Sequence, residues 1–178
     1  NIRKTIQFFL STNLAEVLAI LIASLFLFKF NFMLSTQLLW LNLITDSFPV
    51  LALGMEREDS DAMKRPPERA EKSLFSKSSL TSIAFYGLFM TAVTIGVFTY
   101  GLSAWGNAAA TTVTFMTLSF LELFQSFNIR TERQSAFGRG MFANKVLLIT
   151  VITGVLLNIM LCISPLSSAF GLVKPTAV

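Results

Sequence analysis

The chain has 178 residues, of which 53% are hydrophobic and 13% are charged, and its mean hydropathy is +0.66. Soluble domains contain roughly 25% charged residues, so this composition excludes an ordinary soluble domain and indicates a membrane protein. The chain has one cysteine and no histidine, which excludes an internal disulfide and metal sites built from thiolate or imidazole groups.

Five apolar segments follow one another along the chain, and each is near or above the length that spans a bilayer. A backbone in lipid must satisfy its own hydrogen bonds, and the segments lack the pattern of barrel strands, so we predict helices. The segments are residues 5–28, 37–55, 80–102, 111–129 and 146–163. The predicted fold is an all-α, polytopic membrane helix bundle with about five transmembrane helices, in which residues 1–178 form a single transmembrane domain.

The basic residues fall almost entirely between alternate segments. Of the 14 lysines and arginines, only Lys29 and Lys174 lie on the other side of the predicted membrane. The positive-inside rule therefore places the N-terminus and the loops 56–79 and 130–145 in the cytoplasm. The net charge of +4 is thus explained by topology, so we expect membrane lipid and no nucleic acid as a partner. The loop 56–79 is either a solvated connector or a docking surface for a cytoplasmic partner.

The second segment contains polar residues that a plain membrane anchor would avoid. Asn42, Thr45 and Asp46 stand at i, i+3 and i+4, so their oxygens share one face of a helix. Pro49 has no N–H to donate to the carbonyl of Thr45, and we expect the helix to kink or open there. Side-chain oxygens and a free carbonyl at mid-membrane depth are suited to a bare cation. Trp40, beside this cluster, is interpreted as an interfacial aromatic residue.

Three acidic residues lie inside different predicted helices: Glu16, Asp46 and Glu122. A charge near the bilayer centre costs at least ~2.5–3.5 kcal/mol on insertion scales, and the predicted helices offer no lysine or arginine to pair with these acids. The acids are either protonated links between helices or parts of a cation site, and we favour the cation site because polar side chains flank them. Asn13 is three residues before Glu16, and Ser119 and Gln125 flank Glu122 at the same spacing.

The candidate ligands are all oxygen atoms, which hard cations prefer. Ca2+ accepts 6–8 oxygens with loose geometry, whereas Mg2+ gives up its water reluctantly, so Ca2+ is favoured and Na+ or H+ stay open. Asn158, in the last segment, is interpreted as a contact between helices rather than a ligand. Four glycines are expected to permit close helix contacts or turns: Gly87, Gly96, Gly101 and Gly154.

Three stretches are specific enough to indicate a family. NIRKTIQFFLSTNLAEV, QLLWLNLITDSFPVLALGME and LELFQSFNIRTERQS resemble the fifth, sixth and eighth membrane helices of P-type cation ATPases of the calcium-pump class, and DAMKRPPER resembles the loop after the sixth. The resemblance implies that the chain supplies helices five to nine of ten. It also implies a set of metal ligands: Asn13, Glu16, Asn42, Thr45, Asp46 and Glu122. Ser47 departs from the family, which often has glycine there.

The resemblance further implies the membrane part of an ATP-driven translocase that moves Ca2+ by alternating access. The phosphorylation and nucleotide-binding motifs of the family are absent from these 178 residues. ATP and Mg2+ would therefore bind in missing cytoplasmic domains, which are expected partners together with the remaining membrane helices, and this fragment alone should be inactive. The alternatives are a pump for Na+, Mn2+ or H+, a cation channel or secondary transporter that uses the same acids, and a membrane anchor.

Overall fold

The structure is a computed structural model that describes residues 2–55, 76–130 and 144–173. These ranges are predominantly helical and contain no β-strand. The helices are α1 (Ile2–Phe26), α2 (Ser35–Trp40), α3 (Ser47–Gly54), α4 (Lys77–Trp105), α5 (Asn107–Arg130) and α6 (Lys145–Ile163). A π-helical turn, Leu41–Thr45, lies between α2 and α3, and a 3-10 turn, Pro165–Ser168, follows α6.

The predicted all-α membrane bundle is confirmed, and each predicted segment corresponds to a helix or, for 37–55, to the interrupted unit α2–turn–α3. Among the described helices, α1, α4 and α6 are long and apolar enough to cross a membrane. The chain is therefore an integral membrane protein. Most of the two loops that we predicted to be cytoplasmic, namely residues 56–75 and 131–143, lies outside the described residues.

Short polar side chains and one glycine define where the later helices begin and end. The hydroxyl of Ser76 accepts a hydrogen bond from the backbone N–H of Ser79 at 3.2 Å, which caps the start of α4. Asn144 caps α6 in the same way through Leu147, at 3.0 Å. Between α4 and α5 there is a single residue, Gly106, whose φ of 81° is accessible to glycine at little cost. This residue reverses the chain and starts α5 beside α4.

Small residues allow the helices to approach closely. Helix α1 packs along α4, and α4 packs along α5. A Cβ atom added to Gly101 would lie 3.0 Å from the Cα of Ala110, and one added to Gly154 would lie 2.8 Å from the Leu123 side chain. Both glycines therefore occur where neighbouring helices touch, as predicted. Gly96 has no such neighbour within 4 Å, so for that glycine the expected close contact is wrong.

Apolar residues form layers on both sides of a polar middle layer. One layer joins the beginnings of α1 and α6 to the ends of α3 and α5; its buried members are Phe8, Ala52, Leu53, Leu123, Phe127, Ile129, Leu147 and Val151. At the other end of the bundle are two clusters: Ala19, Ala23, Phe32, Phe98 and Ala110, and Leu41, Phe115, Leu118, Leu161 and Leu172. Along each helix the three acidic residues fall between these layers, so the fold places them near the middle of the bundle.

Candidate cation-binding site

The π-helical turn is the local feature on which the site is built. The backbone N–H of Asp46 donates to the carbonyl of Leu41, five residues earlier, at 2.9 Å. The N–H of Val50 then donates to the backbone carbonyl of Asp46, four residues earlier, at 3.1 Å. The interruption predicted from Pro49 is therefore present, and it takes the form of one widened turn just before the proline. Such turns occur frequently at functional sites, because the extra residue changes the direction in which side chains point.

Asp46 directly follows this turn and is fully buried, with 0% of its surface exposed. One carboxyl oxygen, Oδ2, accepts a hydrogen bond from Thr12 Oγ1 of α1 at 2.8 Å. The other oxygen, Oδ1, has no hydrogen-bond partner within the described part of the chain. A buried oxygen without a partner costs free energy, so this oxygen is suited to bind a cation or a proton.

Glu16 of α1 is hydrogen-bonded to the same turn through the side-chain amide of Asn42. The Nδ2 group of Asn42 donates to both carboxyl oxygens of Glu16, at 3.1 and 2.9 Å, and also to the carbonyl of Leu38 at 3.1 Å. Glu16 is 4% exposed. The amide nitrogen of Asn42 thus orients the carboxyl group of Glu16, and the amide oxygen is the atom with which Asn42 can act as a ligand.

Glu122 is the most isolated of the three acids. It is fully buried on α5, and neither of its carboxyl oxygens has a hydrogen-bond partner among the residues the structure describes. It lies three residues after Ser119, whose hydroxyl oxygen is 3.1 Å from that of Thr45, the residue before Asp46. Three acids from α1, the π-helical turn and α5 therefore share one low-dielectric region, in which uncompensated negative charge is costly.

These acids do not form a closed set of ligands. Within the described ranges, no three side chains of Asp, Glu, His or Cys are close enough together to hold one metal ion. The Nδ2 group of Asn13 donates to the Phe9 carbonyl of its own helix at 2.8 Å, so this group is not hydrogen-bonded to the three acids. Thr45 contacts Ser119 of α5, with 3.1 Å between the hydroxyl oxygens, rather than an acid. The ligand roles predicted for these residues stay predictions.

Sequence reasoning missed contacts of two residues near the site. Thr12, which donates to Asp46, could have been found because it lies four residues before Glu16 and therefore on the same face of α1. Sequence reasoning also missed a contact of Trp40, interpreted from the sequence only as an interfacial aromatic residue: the indole N–H donates to Asn158 Oδ1 at 3.1 Å. Asn158 does join helices, as predicted, and nothing in its spacing indicates which ones.

Comparison with known proteins finds similar sequences over most of this chain. A family model described as "Cation transporting ATPase, C-terminus" matches residues 30–178. Calcium-transporting ATPase 1 of Bacillus cereus is 34% identical over 189 residues, covering 96% of this chain and 21% of the relative. The Calcium-transporting ATPase of Bacillus subtilis is 33% identical over 167 residues, covering 93% and 18%.

A eukaryotic relative gives the same result. Calcium-transporting ATPase 1 of Schizosaccharomyces pombe is 35% identical over 153 residues, covering 85% of this chain and 17% of the relative. The chain thus spans about a fifth of the length of the curated relatives it matches. Because the family model matches most of the chain, which folds as a bundle of membrane helices, the chain belongs to the family of the C-terminal region of cation-transporting ATPases.

Proposed function

We propose that this chain is the ion-binding membrane part of a P-type pump that uses ATP to transport Ca2+ by alternating access. The observation that supports this most directly is the group of three buried acids beside an interrupted helix, two of which have oxygens without hydrogen-bond partners. A rigid membrane anchor would gain nothing from such groups. The similar proteins named above are calcium-transporting ATPases.

The proposed ligands act from three directions. Asp46 offers the free oxygen Oδ1 from the interrupted helix, and Glu16 and Glu122 approach from α1 and α5. Asn13, Asn42 and Thr45 are proposed to add neutral oxygens. Carboxylate, amide and hydroxyl oxygens together suit Ca2+, which tolerates irregular geometry and many ligands. Since the acids do not converge on one point, we propose that binding the ion draws them together.

The remainder of the transport cycle is proposed to depend on partners outside these residues. Other membrane helices would complete the ion site, and cytoplasmic domains would bind Mg2+ and ATP. The N-terminus and the loops 56–79 and 130–145 are proposed to face these domains in the cytoplasm, as the distribution of basic residues indicates. Lipid surrounds the bundle, and 178 residues without the cytoplasmic domains should neither hydrolyse ATP nor conduct ions.

Transport by the full-length protein in liposomes tests the proposal. We expect ATP-dependent uptake of Ca2+ that exceeds uptake of Mn2+ and Na+ at equal concentrations, and no ion flux through the 178-residue chain alone. ATP-driven uptake of another ion without uptake of Ca2+ would reject the assignment of the ion. Passive flux through the chain alone would instead identify a channel.

A further inference from the structure

A buried amide with several partners lies in the polar layer, outside the set of proposed ligands. Asn158 of α6 is fully buried, and its side chain makes three hydrogen bonds. Its Oδ1 accepts from the indole N–H of Trp40 at 3.1 Å, and its Nδ2 donates to Ser119 Oγ at 2.7 Å and to the carbonyl of Gly154 at 2.9 Å. The oxygen and the amide hydrogens are therefore all used inside the bundle.

The chemistry of its neighbours fixes the orientation of this amide. The indole of Trp40 can only donate a hydrogen bond, and the carbonyl of Gly154 can only accept one. If the nitrogen and oxygen of Asn158 were exchanged, its NH2 group would face the N–H of Trp40, and its oxygen would face the carbonyl oxygen of Gly154. Neither pair could form a hydrogen bond. Its Nδ2 group must therefore face Ser119, and the position of the Ser119 hydroxyl is set from α6.

The contacts of Asn158 bracket the π-helical turn. Trp40 is the residue immediately before Leu41–Thr45, and Thr45 is the last residue of the turn. Asn158 reaches Trp40 directly and reaches Thr45 through Ser119, whose hydroxyl oxygen is 3.1 Å from that of Thr45. One side chain of α6 thus anchors both ends of the only widened turn in the described residues.

We propose that Asn158 is a positioning residue that holds the π-helical turn in its widened form and thereby places Thr45 and Asp46 for cation binding. This rests on the proposed function of the turn as part of the cation site. A π turn is less stable than a continuous α-helix and persists where surrounding contacts enforce it. Asn158 supplies such contacts at both ends without itself touching the proposed ligand atoms of Asp46, Glu16 or Glu122.

The test is Asn158→Leu in the full-length protein, measured as Ca2+-stimulated ATP hydrolysis over a range of Ca2+ concentrations. Losing a buried network of this kind should raise the half-saturating Ca2+ concentration by about tenfold or more. The maximal rate at saturating Ca2+ should stay near that of the wild type, because the chemistry with ATP occurs elsewhere. This separation is not expected from a general loss of folded protein, which lowers the maximal rate alone.

Gln37→Leu is the matched control. Gln37 is also a fully buried amide, in helix α2 of the interrupted unit, and its Nε2 donates to the carbonyl of Phe170, which follows α6, at 2.9 Å. Its side chain hydrogen-bonds to Leu34 and Phe170 and not to a residue of the π-helical turn. We expect it to leave the half-saturating Ca2+ concentration within about twofold of wild type, as a structural amide should. Equal shifts in the two variants would overturn the positioning role.

Two smaller substitutions test the positioning role of Asn158 if the Asn158→Leu protein does not fold and cannot be purified. Ser119→Ala removes the link to Thr45, and Trp40→Phe removes the donor at the other end of the turn. Each should raise the half-saturating Ca2+ concentration several-fold, and unchanged values in both would overturn the proposal. If Ca2+ neither binds to the wild-type protein nor stimulates it, the proposed function fails as well. A normal wild-type response with unshifted variants rejects the role of Asn158 alone.

Discussion

Two fully buried threonines, one in α4 and one in the interrupted helix, show what the π-helical turn changes. Thr94 lies in the regular helix α4, and its hydroxyl donates to the carbonyl of Met90, four residues earlier, at 2.7 Å. Thr45 is equally buried, yet its hydroxyl contacts Ser119 of another helix at 3.1 Å. The same residue type satisfies its own helix in one region and joins two helices in the other.

The wider pattern agrees with this pair. In α4 the hydroxyl groups of Thr81, Thr91, Thr99 and Ser103 also donate to carbonyls three or four residues earlier. A membrane helix can therefore contain many hydroxyl groups without offering them to a ligand. In the interrupted unit, Trp40 and Asn42 as well as Thr45 make contacts with other helices. Polar composition alone therefore does not make a site; the polar side chains of the interrupted unit differ from those of α4 in contacting other helices.

Asp46→Asn, compared with Thr94→Val, should give the largest difference between the two regions. The asparagine keeps the size of the side chain and an oxygen for Thr12, but it removes the charge that we propose binds Ca2+. We expect the half-saturating Ca2+ concentration for ATP hydrolysis by the full-length protein to rise by at least ~100-fold, equivalent to about 2.7 kcal/mol. Thr94→Val removes a hydroxyl that serves only α4 among the contacts described here, and it should change the value by less than about twofold.

The contrast between the two regions would be contradicted if Asp46→Asn and Thr94→Val had the same half-saturating Ca2+ concentration. A normal Ca2+ response in Asp46→Asn would show that the buried acid is a structural link between helices rather than a ligand. In that case the interrupted helix would need another explanation.

Pro49→Ala should make the interrupted helix more like α4. Alanine restores an N–H that can donate to the carbonyl of Thr45, which favours an ordinary α-helical turn over the π-helical one. We expect the half-saturating Ca2+ concentration to rise about 3- to 10-fold, because an intrahelical hydrogen bond contributes about 1 kcal/mol to the competing conformation. The measurement is again ATP hydrolysis as a function of Ca2+.

A substitution at the nearby exposed position Leu51, Leu51→Ala, is the control for Pro49→Ala. Leu51 lies in the same helix, α3, and is 63% exposed, so its truncation should leave the Ca2+ response unchanged. An unchanged response in Pro49→Ala as well would indicate that tertiary contacts, rather than the proline, maintain the widened turn.

Packing changes on α4 should have the smallest effect on Ca2+ affinity and should alter stability instead. In Gly101→Ala the new Cβ would meet the backbone of Ala110 at 3.0 Å, so we expect a loss of about 1–3 kcal/mol in the free energy of unfolding. Gly96→Ala meets nothing within 4 Å and should raise the free energy of unfolding by up to about 1 kcal/mol. Thermal unfolding of the purified protein in detergent measures both. Equal effects of the two variants would contradict the close contact at Gly101.

The sequence was sufficient to predict the helices and the interruption, because both follow from local chemistry. Long apolar segments must be helical in lipid, and Pro49 cannot donate the hydrogen bond that would continue the helix. The three acids stand out for the same reason, since a buried charge is costly wherever it lies. None of these inferences requires knowledge of which helices are neighbours.

The partners of each side chain could not be predicted in this way. Thr12 and Asn13 both lie within one turn of Glu16, and helical spacing does not distinguish them. The rotation of α1 against the interrupted helix turns Thr12 toward Asp46 and leaves Asn13 hydrogen-bonded to its own backbone. The pairing of Trp40 with Asn158, 118 positions apart, likewise depends on tertiary packing, which the spacing of residues along one helix does not encode.

The single glycine between α4 and α5 has a mechanical consequence for this bundle. Because Gly106 is the only residue between the two helices, and because Gly101 contacts Ala110 just beyond it, neither helix can slide without the other. Helix α1 packs along α4, so Glu16 and Glu122 belong to one stiff frame. The interrupted helix consists of two short helices that meet at a widened turn, and we expect it to be the more deformable part of the bundle. We therefore expect a rearrangement of the widened turn to change the position of Asp46 more than the distance between the two glutamates.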